Sequence, residues 1–159
     1  MTNVLMKTSL GDVKIALDEK ASPITVANFL SYVDDQFYDG TIFHRVIADF
    51  MIQGGGFEPG MKKKNAKAPI KNESPNGLSN VRGSIAMART SDLNSATSQF
   101  YVNTVDNYNL DDARYCAFGH VVEGMDVIDK IRKVRTTRQA GHENVPVDDV
   151  VIQSIRRAD

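Results

Sequence analysis

The chain has no tryptophan and a single cysteine, Cys116, in 159 residues. One cysteine excludes an intramolecular disulfide framework and any zinc site built on several thiolates. A strong charge of either sign is also missing: 19 basic residues against 20 acidic ones leave a net charge of −1. No global field draws in nucleic acid or an anionic membrane, and neither is expected as a partner. Apolar runs are only a few residues long, so no membrane-spanning segment is expected. The stretch from Met1 to Lys7 lacks the basic and apolar regions of a signal peptide, and a reducing cytoplasm is the simplest location. The three histidines, His44, His120 and His142, are far apart and form no H-E-x-x-H or similar set, so neither metal nor cofactor is expected. No G-x-S-x-G elbow occurs, which speaks against a serine hydrolase.

What is present is the composition of an ordinary globular protein, 42% hydrophobic and 25% charged, with length for one core and one domain over residues 1–159. Alternation opens the chain: Val4, Met6 and Thr8 share one side, and after a turn at Ser9 to Asp12 come Val13, Ile15 and Leu17, the pattern of a hairpin. Ser22 is placed to cap a helix with Pro23 in its first turn. Val26, Phe29, Leu30, Val33 and Phe37 then form the stripe of a buried helical face ending before Gly40.

Short β-type segments recur at Ile42 to Ile47, Phe50 to Gln53, Ser84 to Ala88, Gln99 to Asn103, Tyr115 to Val121 and Val147 to Arg156. A second helix is predicted from Gly124 to Lys133, with Val127, Ile128 and Ile131 inward and Asp126 spaced to pair with Lys130. About eight strands with two separated helices favour a mainly β fold, a closed barrel, because closure removes exposed sheet edges. Between Gly54 and Gly83 neither period holds, and the stretch reads as a long ordered loop, either functional or a surface excursion.

Gly54-Gly55-Gly56 is not a phosphate loop, since the lysine near Gly60 comes one place late and no Ser or Thr follows it. Lys62-Lys63-Lys64 reads as a solvated charge run, with steering of an acidic partner as the alternative, and Cys116, within Tyr115 to Phe118, reads as a core residue. The informative segment runs from Phe43 to Gly55. It places Arg45 in a strand among Phe43, Val46 and Ile47, and a charged group near a core needs a partner, such as a structural salt bridge, or a purpose.

This segment resembles the cyclophilin signature F-H-R-x-I-x-x-F-M-x-Q-G-G. Similar matches follow at Gly83 to Ala88, Ser98 to Asn103 and Phe118 to Met125, so the resemblance covers essentially the whole chain; Asn76 to Gly83 and Ala88 to Ser91 look like the bacterial single-domain branch. It implies a closed eight-stranded antiparallel β-barrel capped by two α-helices, and a peptidyl-prolyl cis/trans isomerase acting as a monomer on proline-containing peptides and unfolded or folding proteins. It also implies Arg45 and Gln53 as catalytic residues. Phe50, Met51, Tyr101 and Leu110 would be the walls of a proline pocket, the backbone of Ala88 and Arg89 a rest for the residues before proline, and Gln99 and Tyr115 the rim. A proline-binding module or holdase using the same groove is the alternative.

Three departures from the best-known family pattern bear on the site. Tyr101 stands where phenylalanine usually floors the pocket, so its hydroxyl finds a partner at the rim or makes the pocket more polar. Asn109 stands where tryptophan often precedes the pocket leucine, which predicts weak cyclosporin binding. Tyr115 takes a position where histidine is common.

Overall fold

A computed structural model of the chain describes residues 1–158. Its first half contains β1 (Thr2–Thr8), β2 (Gly11–Leu17), α1 (Pro23–Asp34), β3 (Thr41–Ile47), β4 (Met51–Gly54), β5 (Phe57–Glu58) and β6 (Lys62–Lys63). Then come β7 (Ser84–Met87), β8 (Phe100–Asn103), α2 (Tyr108–Asp112), β9 (Ala117–Glu123), α3 (Met125–Arg132), β10 (Thr136–Gln139), β11 (His142–Pro146) and β12 (Val151–Ala158). Eight of the strands close an antiparallel barrel in the order β1-β12-β3-β4-β8-β7-β9-β2.

Period-2 alternation fills this barrel. Val4 pairs with Ile15 and Met6 with Val13, so the apolar residues of the opening hairpin face the same way, and all four are fully buried. Phe29 of α1 meets Phe100 edge-on at 5.6 Å and Phe118 at 5.3 Å, and Val127, Ile128 and Ile131 of α3 join the same cluster. Each such phenylalanine contributes roughly 2–3 kcal/mol by leaving water.

The barrel and both long helices match expectation; several details differ. The stripe ending at Phe37 overruns α1, which stops at Asp34 because Gln36 enters the left-handed region at φ 57°. Phe37 still packs, 4.8 Å from the Tyr32 ring. Ser22 does not cap α1: its hydroxyl is buried and donates to the Ala117 carbonyl at 3.4 Å. Glu73 does that work from the long loop, accepting from the Ile24 and Thr25 amides at 3.2 and 2.6 Å and from the Thr25 hydroxyl at 2.7 Å. Asp126 and Lys130 form no ion pair among the described residues.

A third, five-residue helix, α2, is present in addition to the two expected. The last barrel strand begins at Val151 rather than Val147, because the β10–β11 hairpin, exposed along β10 but buried at Val145 and Pro146, extends to Pro146. The long loop after Gly54 holds the small β5–β6 sheet. Within it Lys64 is no solvated charge: its ammonium donates to the Phe37 carbonyl at 2.6 Å and lies over the Phe37 ring. Cys116 is buried beside the Ser22 and Thr25 hydroxyls, and burial raises its thiol pKa, as befits an inert core residue.

Candidate active site

Alternation sends every second residue of β4 and β8 to the outside of the barrel. Ile52, Phe100 and Val102 enter the main core, while Met51 and Tyr101 form a second buried cluster with Ala86, Leu110 and Ala117, against which Phe50, Ala88 and Tyr115 pack. A barrel whose outer face carries its own apolar cluster offers a partly covered hydrophobic patch. Register completes it: Arg45 pairs with Gln53, and Gln53 with Tyr101, so three side chains stand in one row across β3, β4 and β8.

Between them opens a cavity of about 310 Å³, lined by nine of the ten residues named as the site. Phe50, Met51, Leu110 and the rings of Tyr101 and Tyr115 make its apolar walls; Arg45 and Gln53 stand on one side, Ala88 and Arg89 on another. Gln99 is the exception. It lines a neighbouring cavity, also about 310 Å³, that shares Gln53, Ala88 and Arg89 with the first. It still touches the site, because Gln53 donates from Nε2 to Gln99 Oε1 at 3.0 Å.

Arg45 is exposed, on the outward side of a strand whose neighbours Phe43 and Val46 are buried. It makes no ion pair among the described residues, which removes the salt-bridge reading. Its one side-chain hydrogen bond runs from Nη1 to Gln53 Oε1 at a long 3.5 Å. A guanidinium held loosely beside an apolar pocket, with most of its donors free, is available to a ligand.

The Tyr101 hydroxyl goes neither to the rim nor to the pocket. It donates inward to Asn80 Oδ1 at 2.7 Å, and burial holds the phenol pKa far above its ordinary value. Asn80 is fully buried and central to a polar network: it accepts from Asn103 Nδ2 at 3.1 Å and donates from its amide and from Nδ2 to Asp111 Oδ1, each at 2.8 Å. Burial opposes ionisation of Asp111, yet hydrogen bonds from Ser79 and Asn80 hold its carboxyl below the usual value. Asn107 adds a bond to the Phe50 carbonyl at 2.8 Å. The pocket floor, Leu110 on α2 and the Phe50 wall are thus tied to one set of buried amides. Sequence reasoning missed Asn80, Asn103, Asn107 and Asp111; the density of asparagine between Asn76 and Asn107 was the one available signal.

The rim is built without tryptophan. The Arg89 guanidinium lies 4.4 Å from the Tyr115 ring centre and donates to the Ala113 carbonyl at 2.6 Å, and Tyr115 stands edge-on to Tyr101 at 6.2 Å. The Ala88 N–H is spent on the Gln99 carbonyl at 3.1 Å, so of its two backbone groups only the carbonyl remains for a ligand. The triple glycine serves close packing. A Cβ at Gly55, where φ is +90°, would lie 2.9 Å from both the Phe100 and Tyr38 rings, and one at Gly56 would strike the Gln99 side chain at 2.5 Å.

Comparison with known proteins gives this arrangement its context. Residues 3–157 match the family model described as cyclophilin type peptidyl-prolyl cis-trans isomerase/CLD. The chain belongs to the cyclophilin family. It is 55% identical to a peptidyl-prolyl cis-trans isomerase of Acinetobacter baylyi, over 98% of this chain and 85% of that one. It is 53% identical to peptidyl-prolyl cis-trans isomerase B of Escherichia coli, over 96% and 97%. A cyclophilin-type isomerase of Cryptosporidium parvum, crystallised in the presence of the dipeptide Ala-Pro, superposes with a TM-score of 0.88 at 26% identity and covers 99% of both chains. The barrel fold of this cyclophilin and its activity, peptidyl-prolyl cis-trans isomerisation, follow from that agreement. Among the described residues no helix is long and apolar enough to cross a membrane.

Proposed function

We propose that the cavity holds the proline ring of a bound peptide and that Arg45 is the group that accelerates rotation of the preceding bond. The barrier is about 18–20 kcal/mol because twisting an X-Pro bond destroys amide resonance. Left alone the rotation takes tens to hundreds of seconds. No bond is made or broken, so no nucleophile is needed. The requirement is a donor aimed at the amide nitrogen, which becomes a hydrogen-bond acceptor only as the bond twists; such a donor binds the transition state in preference to either ground state.

A guanidinium suits this role because it stays protonated and offers several donors in a rigid plane. The observation that carries the assignment is that Arg45 is exposed, free of carboxylates and on the lining of the one cavity whose walls are Phe50, Met51, Tyr101 and Leu110. Gln53, bonded to Gln99 and within reach of Arg45, orients it and holds a substrate carbonyl. The carbonyl of Ala88 and the backbone of Arg89 support the residues before proline in extended form, and Tyr115, stacked on Arg89, closes the rim.

By this reading the chain works as one domain and as a monomer, on proline-containing peptides and folding proteins, in the cytoplasm. The test is an isomerisation assay on an Ala-Pro peptide with wild type and Arg45→Ala. Loss of the donor lowers the rate by roughly 10²–10³, the cost of removing other preorganised donors. Equal rates overturn the assignment of Arg45.

A further inference from the structure

The proline cavity and its neighbour share Gln53, Ala88 and Arg89, so they form one continuous groove. Its lining is charged in one sense only. Arg45, Lys63, Lys64 and Arg89 line it, and no aspartate or glutamate does, in a chain whose overall charge is −1. None of the four cations belongs to the ion pairs formed among the described residues, which engage the Met1 amino group, Lys67, Arg82, Arg132, Arg156 and Arg157 instead.

Two of these charges are fixed in place. Arg89 is tied to the Thr90 and Ala113 carbonyls, and Lys64 to the Phe37 carbonyl. The hydrogen bonds of both go to neutral acceptors, which leaves the Arg89 charge uncancelled, while that of Lys64 also acts on Asp39 and helps hold its carboxyl below the usual value. Lys63 is exposed on β6 and free to swing toward a ligand. The remaining lining of the second cavity is small, with Thr90, Ser95, Thr97 and Ser98 among it; the Thr90, Ser95 and Ser98 hydroxyls already donate within the protein, to Ser95 Oγ, the Asp92 carbonyl and the Gly55 carbonyl, which leaves the cations as the groups that read a ligand's charge.

We propose that this second cavity selects substrates with an anionic side chain two or three residues before the proline, with Lys63 as its principal charge-reading residue. The inference rests on the groove reading above: with proline seated against Phe50 and Met51 and the preceding backbone extended along Ala88 and Arg89, side chains about 7–10 Å upstream reach the second cavity. A carboxylate there meets Lys63 and Arg89 with no acidic residue on the lining, whereas the Lys64 charge is shared with nearby Asp39. A lysine at the same place meets the like charges of Lys63 and Arg89. Exposed pairs are each worth little, and one favourable and one unfavourable case together give roughly a fivefold spread in kcat/KM.

The test measures isomerisation of three peptides identical except for Glu, Gln or Lys two, and then three, residues before proline, with wild type and Lys63→Glu. A fourth peptide carrying phosphoserine at the better position separates carboxylate recognition from a general response to negative charge. The expected order for wild type is Glu over Gln over Lys in kcat/KM, carried by KM, with the phosphoserine peptide at least equal to Glu. The spread shrinks toward unity in about 0.5 M salt, where exposed charges are screened. In Lys63→Glu the Glu-to-Lys ratio falls to one or inverts, and because it is a ratio within one protein a general loss of activity does not imitate it. Equal kcat/KM for the three peptides in a wild type that isomerises the Gln peptide overturns this inference and leaves the assignment of Arg45 standing. A Glu preference that persists unchanged in Lys63→Glu, or at high salt, overturns it as well.

Discussion

His44 precedes the proposed catalytic arginine, and burial gives it a titration that reports directly on the fold. It is 5% exposed, its ring centre lies 4.4 Å from that of Phe57, and its Nδ1 has no hydrogen-bond partner. Burial first, then the charges of His142 and Arg45, lower its pKa from 6.5 to about 4. Above the unfolded-state value the ring is neutral in both states and stability is at its plateau. As pH falls below 6.5 the unfolded chain binds a proton that the folded protein refuses, and stability declines until the folded ring protonates near 4. The gap amounts to about 3 kcal/mol, of which about 1.4 is lost by pH ~5.5 and about 2.5 by pH ~4.5.

Urea unfolding of wild type and His44→Gln at several pH values between about 7.5 and 4.5 isolates this contribution, since carboxylates and the other histidines are common to both proteins. The wild type loses about 2.5 kcal/mol relative to the variant across that range. An NMR titration of the His44 ring in the intact protein supplies the second readout, with a midpoint near 4 expected. A difference between the two proteins that stays constant with pH, together with a midpoint near 6.5, refutes the reasoning.

Tyr101→Phe removes the bond to Asn80 but leaves Asn80 Oδ1 accepting from Asn103, so it costs about 1 kcal/mol in chemical denaturation and leaves kcat/KM on an Ala-Pro peptide within a few-fold of wild type. A loss comparable to that of Arg45→Ala would show the hydroxyl to be needed for catalysis. Glu73→Ala strips three hydrogen bonds from the first turn of α1 and lowers stability by about 1–2 kcal/mol, read in a thermal melt as a drop of roughly 3–6 °C. Weak inhibition by cyclosporin is expected, because Asn109 stands where the family resemblance places a tryptophan; an inhibition titration with nanomolar potency would contradict that.

The barrel was legible where a strand buries one face, as in the opening hairpin, whose Val4, Met6, Val13 and Ile15 write that face into the sequence as alternation; β7 and β8 are buried on both faces and carry no such signal. The β10–β11 hairpin was not. Every residue of β10 is exposed, and its turn, Ala140-Gly141, carries φ values of 51° and 79° without the asparagine or aspartate that would announce it. The cap of α1 was misread for a different reason: Ser22 has the right residue type and position, but Glu73, some fifty residues away, reaches the amides first. The same distance in sequence hid the Asn80 network, which joins residues about 20 to 35 positions apart. For the site, chemistry dictates a permanent donor beside an apolar pocket, whereas the choice of Arg45 came from resemblance. Its freedom from carboxylates and its alignment with Gln53 and Tyr101 are visible only once the strands are paired.

The claim that Arg45 acts on the twisted bond, rather than merely holding the peptide, is tested most directly by measuring binding and exchange separately. NMR exchange spectroscopy on a saturating Ala-Pro peptide gives the on-enzyme cis/trans rate, and a titration of the same peptide gives Kd. Arg45→Ala is expected to lower the on-enzyme rate by roughly 10²–10³ while Kd changes only a few-fold. An unchanged on-enzyme rate with a Kd weakened in proportion to the lost activity would contradict the account.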